Sequence, residues 1–186
     1  MLSIRNKADT IATFRHVSVQ LMETLARWVP MTPEMEVKTL FGRHIWDLAQ
    51  HADQLGRRTV ELRAALHYSR APLRSYAAAL EMLQSAANSS ERIAGVYDAA
   101  FTDLERRYRA YLQSSDRLLD DPTIRIIERI LADLSRMRSE RDEVLIERSN
   151  LEPARPDWLA PLQSAFGLVQ EWVDYRPPQA ATVEVL

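Results

Sequence analysis

Apolar side chains recur every three or four residues through five stretches of the chain, which is the spacing of an amphipathic α-helix. A capping side chain or a proline precedes each stretch and predicts where the helix begins. These predicted starts are Thr10, Thr32–Pro33, Ser89 or Ser90, Asp121–Pro122 and Asp157, and the last helix is predicted to end at Val173. An alanine-rich segment, residues 73–87, predicts a short helix inserted after the second long one. No stretch has the pattern of a strand, so we expect an all-α fold.

The apolar pattern of the second stretch continues to about Leu66, and its first part, Thr32 to Leu55, is unusual because two histidines lie on the apolar face. That face consists of Val37, Phe41, His44, Leu48, His51 and Leu55. An ionisable side chain in a helical core must be paired, bound to a metal or placed beside a cavity, since burying it alone is costly. Asp47 lies at the edge of this face, three residues after His44 and four before His51, and is predicted to pair with either histidine.

Four residues of later helices are candidates for the same central site. Tyr97 and Tyr108 fall on the core face of the third long helix, Asp133 lies beside the core face of the fourth, and Met137 lies on it. If the helices enclose a cavity, these side chains line it together with the two histidines. The alternative is that the polar side chains only satisfy one another's hydrogen bonds in the core.

Three runs of the sequence resemble ferritin-like helical-bundle proteins of actinobacterial type, over about residues 10 to 148. They are EVKTLFGRHIWDLAQHADQLGRR, ERIAGVYDAAFTDLERRYRAYL and DDPTIRIIERILADLSRM. The resemblance implies an antiparallel four-helix bundle whose active members hold two iron or manganese ions and activate oxygen. Their metal ligands are a carboxylate from each of two helices and a Glu-x-x-His motif from each of the other two.

The metal-ligand pattern implied by this resemblance is degenerate here. No histidine has a glutamate or aspartate three residues before it, and the order in the second helix is reversed, with His44 before Asp47. In the fourth helix, Met137 stands where a histidine would be expected. A carry-over of the family's ligands leaves a partial set, which consists of Asp47, His51 and Asp133, with Glu23 and Glu128 as further candidates. We therefore expect no complete di-metal site and no resident cofactor.

Composition and charge restrict the class of protein and the kinds of partner that the chain can have. The 186 residues suffice for one domain, predicted as 1–175 with a C-terminal bracing helix and a flexible tail, 176–186. A net charge of −2 gives no general attraction to nucleic acid. The absence of cysteine excludes disulfides and thiolate metal sites. No apolar run reaches the roughly 20 residues of a membrane span, so we expect no membrane partner and a cytoplasmic protein.

Three functional hypotheses follow. The first is a metal-independent ferritin-like protein that binds a small organic molecule in the central cavity and could transform it, with His44, Asp47 and His51 as catalytic candidates. The second is a di-iron or di-manganese oxygenase or oxidase of specialised biosynthesis. The third is a non-catalytic partner or assembly protein, for example a homodimer, that uses surface tryptophans, which are predicted to be Trp28, Trp158 and Trp172.

Overall fold

The computed structural model describes residues 2–177. Its helices are α1 (Ile4–Trp28), α2 (Met35–Glu61), α3 (Arg74–Gln84), α4 (Ser89–Ala94), α5 (Phe101–Ser114), α6 (Arg117–Glu147) and α7 (Pro156–Gly167). A 3₁₀ turn connects α1 to α2, and a π-helical turn, Gly95–Ala100, continues α4 into α5. The all-α prediction is therefore confirmed for these residues, and α3 occupies the predicted inserted segment. None of the helices in this range has the length and apolar character required to cross a membrane.

α1 begins earlier than predicted because a different side chain caps it. The Ser3 hydroxyl accepts a hydrogen bond from the backbone N–H of Asn6 at 3.1 Å. Thr10, the predicted cap, lies inside the helix, and its hydroxyl donates to the Asn6 carbonyl at 2.9 Å. The polar residues before Thr10 are helical, and two of them, Lys7 and Asp9, are buried. Because these residues are polar, the apolar pattern did not predict this part of the helix. The partners that make their burial favourable lie far along the chain.

α2 is shorter at both ends than its apolar pattern predicts. It begins at Met35, and the hydroxyl of Thr32 donates to the carbonyl of Trp28 at 2.9 Å instead of capping the helix. It ends at Glu61, whereas the pattern continues to about Leu66. Residues after Glu61 fold back on α2, since the backbone N–H of His67 donates to the carbonyl of Gly56 at 3.1 Å.

α6 begins at Arg117, capped by Asp116, rather than at the predicted Asp121–Pro122. It contains a break at Asp120, where the backbone has φ −141° and ψ 21°. The buried carboxylate of Asp120 is the acceptor for four groups, which are the Thr123 hydroxyl at 2.5 Å, the Tyr111 hydroxyl at 2.7 Å, Arg58 Nη2 at 3.0 Å and Lys7 Nζ at 3.2 Å. These contacts attach the start of α6 to three other helices and compensate the buried charge.

α2 and α6 are antiparallel. Near the end of α2, Arg58 reaches Asp120 at the start of α6, and at the other end Arg148 Nε lies 2.8 Å from a carboxylate oxygen of Glu36. The two helices therefore contact each other over most of their length. This pairing brings the central histidines of α2 next to the central turns of α6.

α1 packs on both α2 and α5. Trp28, at the end of α1, lies against Phe41 in the first half of α2, with ring centroids 6.3 Å apart. Phe14 stacks on Tyr108 of α5 with centroids 4.3 Å apart. α1, α2, α5 and α6 thus share one apolar core, and α3 and α7 pack beside the π-helical turn.

The last described residues, 168–177, form an extended segment that we call the C-terminal strap. α7 ends at Gly167, before the predicted Val173, and Trp172 in the strap accepts a backbone hydrogen bond from Leu73 at 2.8 Å. Trp172 is buried, as is Trp28, so the prediction that these tryptophans lie on the surface is wrong. Arg176 of the predicted tail is bound to α1 through Asp9, and the remaining tail, 178–186, lies outside the described residues.

Candidate functional site

The histidines of α2 face a row of charged residues on α6. We call this set the α2–α6 polar cluster, and it consists of His44, Asp47, His51, Tyr97, Asp133, Arg136 and Glu140. The three α6 members share a helix face because they are three and four residues apart. His44 and His51 are 0% and 2% exposed, whereas the side chain of Arg136 is 44% exposed. The cluster therefore extends from the core to solvent.

His44 is hydrogen-bonded through both ring nitrogens. Nδ1 lies 2.5 Å from the hydroxyl of Tyr97, and Nε2 lies 3.2 Å from Oε2 of Glu140. Burial lowers the pKa of His44 and outweighs the opposite effect of Glu140, so the neutral ring is favoured. A neutral imidazole has one N–H, so Nε2 donates to Glu140 and Nδ1 accepts from Tyr97.

Tyr97 reaches His44 from the π-helical turn. The wider turn places one more residue in the loop of each hydrogen bond than an α-helix does, and such turns often occur at functional sites. Arg141 also packs on the Tyr97 ring, with its guanidinium carbon 5.4 Å from the ring centroid. Burial raises the pKa of Tyr97, so the hydroxyl keeps the proton that it donates to His44.

His51 differs from His44 because only one of its ring nitrogens is hydrogen-bonded to another of the described residues. Nε2 lies 3.0 Å from Oδ2 of Asp133. Burial lowers the pKa of His51 more than Asp133 raises it, so the ring is neutral near pH 7 and Nε2 carries the proton. Nδ1 is then an acceptor, and it makes no hydrogen bond to any other residue between 2 and 177. His51 thus has a free lone pair.

Arg136 connects the carboxylates of the cluster. Its guanidinium lies 3.0 Å from Asp47, 3.4 Å from Asp133 and 2.6 Å from Glu140. Partial burial lowers the pKa of Arg136, but the hydrogen bonds to Glu140 and Asp47 outweigh this effect and hold the pKa above its ordinary value. The prediction that Asp47 pairs with a histidine is wrong, because Asp47 binds Arg136 instead.

Of the predicted lining residues, Tyr108 lies in another part of the core, whereas Met137 lies on the same face of α6 as the cluster, four residues after Asp133 and three before Glu140. Tyr108 stacks on Phe14 in the layer between α1 and α5, and it makes no contact with the histidines among the hydrogen bonds and ring contacts of the described residues. Burial raises the pKa of Tyr108 and keeps its hydroxyl neutral. Met137 is completely buried on α6, next to Arg136 in sequence.

The two outlying carboxylate candidates are not part of the cluster. Glu23 lies on α1 and contacts Arg27 at 3.8 Å. Glu128 lies on α6 and contacts Arg117 at 3.0 Å. Both side chains are more than two-fifths exposed, at 43% and 46%, so each belongs to a solvated ion pair.

The sequence pattern does not single out Arg136 and Glu140, because charged residues in a run on a helix usually face solvent and pair within the helix. The signal that could have identified them is their spacing from Asp133, since offsets of three and seven residues keep all three on one helix face. The spacing of charges alone does not say which of them face α2. That depends on how α6 is rotated about its axis, which the Asp120 contacts determine.

The cluster does not fit the di-metal site that the resemblance implies. Within residues 2–177, no group of three or more histidine, aspartate or glutamate side chains is placed to hold a metal ion. Each cluster carboxylate is bound to Arg136 at the distances given above, so a guanidinium provides the positive charge at this position.

Comparisons with known proteins assign no family to the chain. No protein-family model matches it, and neither the curated proteins nor the solved structures contain a significant match. Functional inference therefore rests on the geometry of the site.

Proposed function

We propose that the chain is a metal-independent ferritin-like protein, an antiparallel four-helix bundle that binds a small organic molecule at the α2–α6 polar cluster. The observation that carries this proposal is the guanidinium of Arg136, which lies among three carboxylates and compensates their charge without a metal ion. The antiparallel pairing of α2 with α6 and the shared core with α1 and α5 support the bundle architecture.

The charge of the cluster favours a ligand with hydrogen-bond donors. Its three carboxylates outnumber the two guanidiniums that contact them, Arg136 and Arg43, the latter 3.5 Å from Glu140. A cationic or neutral molecule with N–H or O–H groups therefore complements the site better than an anion does. The ligand would reach the cluster from the solvent side, where the side chains of Asp133 and Arg136 are 31% and 44% exposed.

His51 is the group that would act on such a ligand. Its free Nδ1 accepts a hydrogen bond from a ligand N–H or O–H, and Asp133 on the other nitrogen orients the ring and stabilises the imidazolium after proton transfer. His44 has no free nitrogen, so we assign it to the positioning of Tyr97 and Glu140. In any transformation of the ligand, His51 is the proton acceptor.

Elemental analysis tests the metal-independent part of the proposal. Protein expressed with added iron and manganese should contain well below one equivalent of either metal, because the carboxylates remain bound to Arg136. About two equivalents, the content of a di-metal bundle, would contradict it. Arg136→Leu should raise the metal content because it releases the carboxylates, whereas Arg125→Leu, in an exposed pair with Asp121, should leave it unchanged.

Ligand binding is tested by NMR titration of the full chain with a panel of small amines and alcohols. His51→Gln retains a donor near Asp133 but lacks the acceptor at Nδ1, so it should lose the interaction. The control is His67→Gln, because the side chain of His67 is 41% exposed and lies outside the cluster. Equal binding by wild type and His51→Gln would exclude His51 as the recognition group.

A further inference from the structure

A second site lies between the start of α1, the end of α2 and the C-terminal strap. It is a cleft of about 420 Å³, which we call the three-arginine cleft, and its lining residues are Ile4, Arg5, Leu62, Arg63 and Arg176. Arg5 and Arg63 form no salt bridge with any of residues 2–177, although ion pairs are numerous elsewhere in that range. Positive charge is therefore concentrated in this cleft.

Arg176 is held in place by α1 and by the loop after α2. Its Nε lies 2.6 Å from Oδ1 of the buried Asp9, and its backbone N–H donates to Oδ2 of the same carboxylate at 3.0 Å. The guanidinium carbon lies 4.9 Å from the ring centroid of Tyr68. The terminal Nη groups make no hydrogen bond to another described residue, so a fixed guanidinium is left with free donors.

Arg5 adds positive charge to the N-terminal end of α1, which is already the positive end of the helix macrodipole. It lies in the first turn of α1, which contains no acidic residue. The macrodipole favours anions at this end of a helix, so an arginine there adds to a positive potential that a bound anion would neutralise. Its Nε is buried and has no hydrogen-bond partner within residues 2–177.

Arg63 completes the cleft from the turn after α2. Its backbone has φ 60°, the left-handed region that residues other than glycine rarely adopt. The guanidinium is not required to cap α2, because backbone N–H groups already bind its last carbonyls. These donors are Leu62, Arg63 and Ala64. The unfavourable backbone conformation thus holds at the cleft a side chain whose charge has no partner in the described structure.

We propose that the three-arginine cleft binds a phosphate-bearing anion. Asp9 compensates one of the three charges, and the two that remain match a doubly charged phosphate group. Guanidinium forks bind phosphate oxygens through paired N–H donors, which suits three arginines from different segments. The ligand is free phosphate, pyrophosphate or the phosphate group of a small metabolite, and binding would join α1, α2 and the strap.

Calorimetric titration of the full chain with pyrophosphate at low ionic strength tests this site. We expect saturable binding that weakens as salt is added. Arg5→Gln and Arg63→Asn should each weaken it about tenfold, the effect of one lost charge-assisted contact. Asn tolerates positive φ, so the second variant keeps the turn. Arg125→Gln is the matched control, since Arg125 is 77% exposed on α6.

Titrations with inorganic phosphate and with pyrophosphate distinguish a single phosphate from a larger anion. Equal weakening by Arg125→Gln, or no saturable binding, would overturn the proposal. Binding that occurs only after deletion of residues 178–186 would also overturn it and would identify this segment as the occupant of the cleft. His51→Gln should leave pyrophosphate binding unchanged, so the outcome is independent of the function proposed for the polar cluster.

Discussion

His44 and His51 are both buried on one face of α2, but their second ring nitrogens have different environments. His44 Nδ1 accepts from Tyr97, whereas His51 Nδ1 has no partner within residues 2–177. Replacement of His44 should therefore disturb packing around the π-helical turn. Replacement of His51 should remove an acceptor without leaving Tyr97 unpaired. The two histidines are thus a structural residue and a ligand-facing residue of one site.

Because burial lowers the pKa of both histidines, stability should depend on pH. The unfolded chain binds protons near the ordinary pKa of about 6.5, and the folded chain resists them. Their contribution is present in full above that pH and is lost as the pH falls through the lower folded-state pKa. Urea unfolding at about pH 7.5 and about pH 5.5 should show the loss of free energy of unfolding.

The double variant His44→Gln, His51→Gln should weaken this pH dependence and leave the part that comes from His16, whose pKa burial also lowers. His67→Gln should not weaken it. A loss of stability confined to more acidic solution would instead point to the carboxylates. Burial raises the pKa of Glu140, but hydrogen bonds from Arg136 and His44 lower it below its ordinary value near 4.5. An unchanged slope in the double variant would show that the histidines are not the source.

At the scale of elements, two glycines of α2 have opposite surroundings. A Cβ at Gly56 would lie 2.3 Å from Nδ1 of His67 and 3.2 Å from its Cα, because the turn after α2 packs directly on this position. A Cβ at Gly42 would have no atom within 4 Å. Gly56 therefore permits a close approach of two segments, whereas Gly42 contributes only flexibility.

We expect Gly56→Ala to lower the free energy of unfolding by about 1–3 kcal/mol, the cost of overpacking, despite its better helix propensity. Gly42→Ala should raise it by up to about 1 kcal/mol, because alanine is the better helix former. Chemical denaturation of both variants measures the two effects. If the two substitutions change stability in the same direction, the close packing at Gly56 is not a determinant of stability.

Apolar spacing predicted which segments are helical but not where they begin. Ser3, not Thr10, caps α1, because the helical residues before Thr10 are polar and find their partners in distant segments. The same limit applies to the site. Periodicity identified His44, His51 and the neighbouring Asp133. It could not identify Arg136 as the partner of Asp47, because that contact depends on the rotation of α6 relative to α2.

At the scale of the whole molecule, Trp172 is buried in the core and Trp46 lies on the outer surface. Trp172 of the C-terminal strap packs between Phe14 and Tyr76, with centroid distances of 4.9 and 5.3 Å, and so attaches the strap to α1 and α3. Trp46 on α2 is 67% exposed. Single exposed apolar side chains are common on monomers, so the homodimer hypothesis needs a direct test, and Trp46 is the residue at which to make it.

Trp172→Ala should therefore lower the free energy of unfolding by roughly 3–5 kcal/mol, since it removes a large buried side chain and releases the strap.

Trp46→Ala should change the stability of the monomer by less than about 0.5 kcal/mol, because the side chain is mostly solvated there. Light scattering during gel filtration measures the molar mass and therefore tests whether Trp46 is a dimer contact. A dimeric wild type that Trp46→Ala converts to a monomer would support the homodimer, because the loss of an interface changes mass without unfolding the chain. A monomeric wild type would show that Trp46 is not a dimer contact and would leave the interior cluster as the better candidate for function.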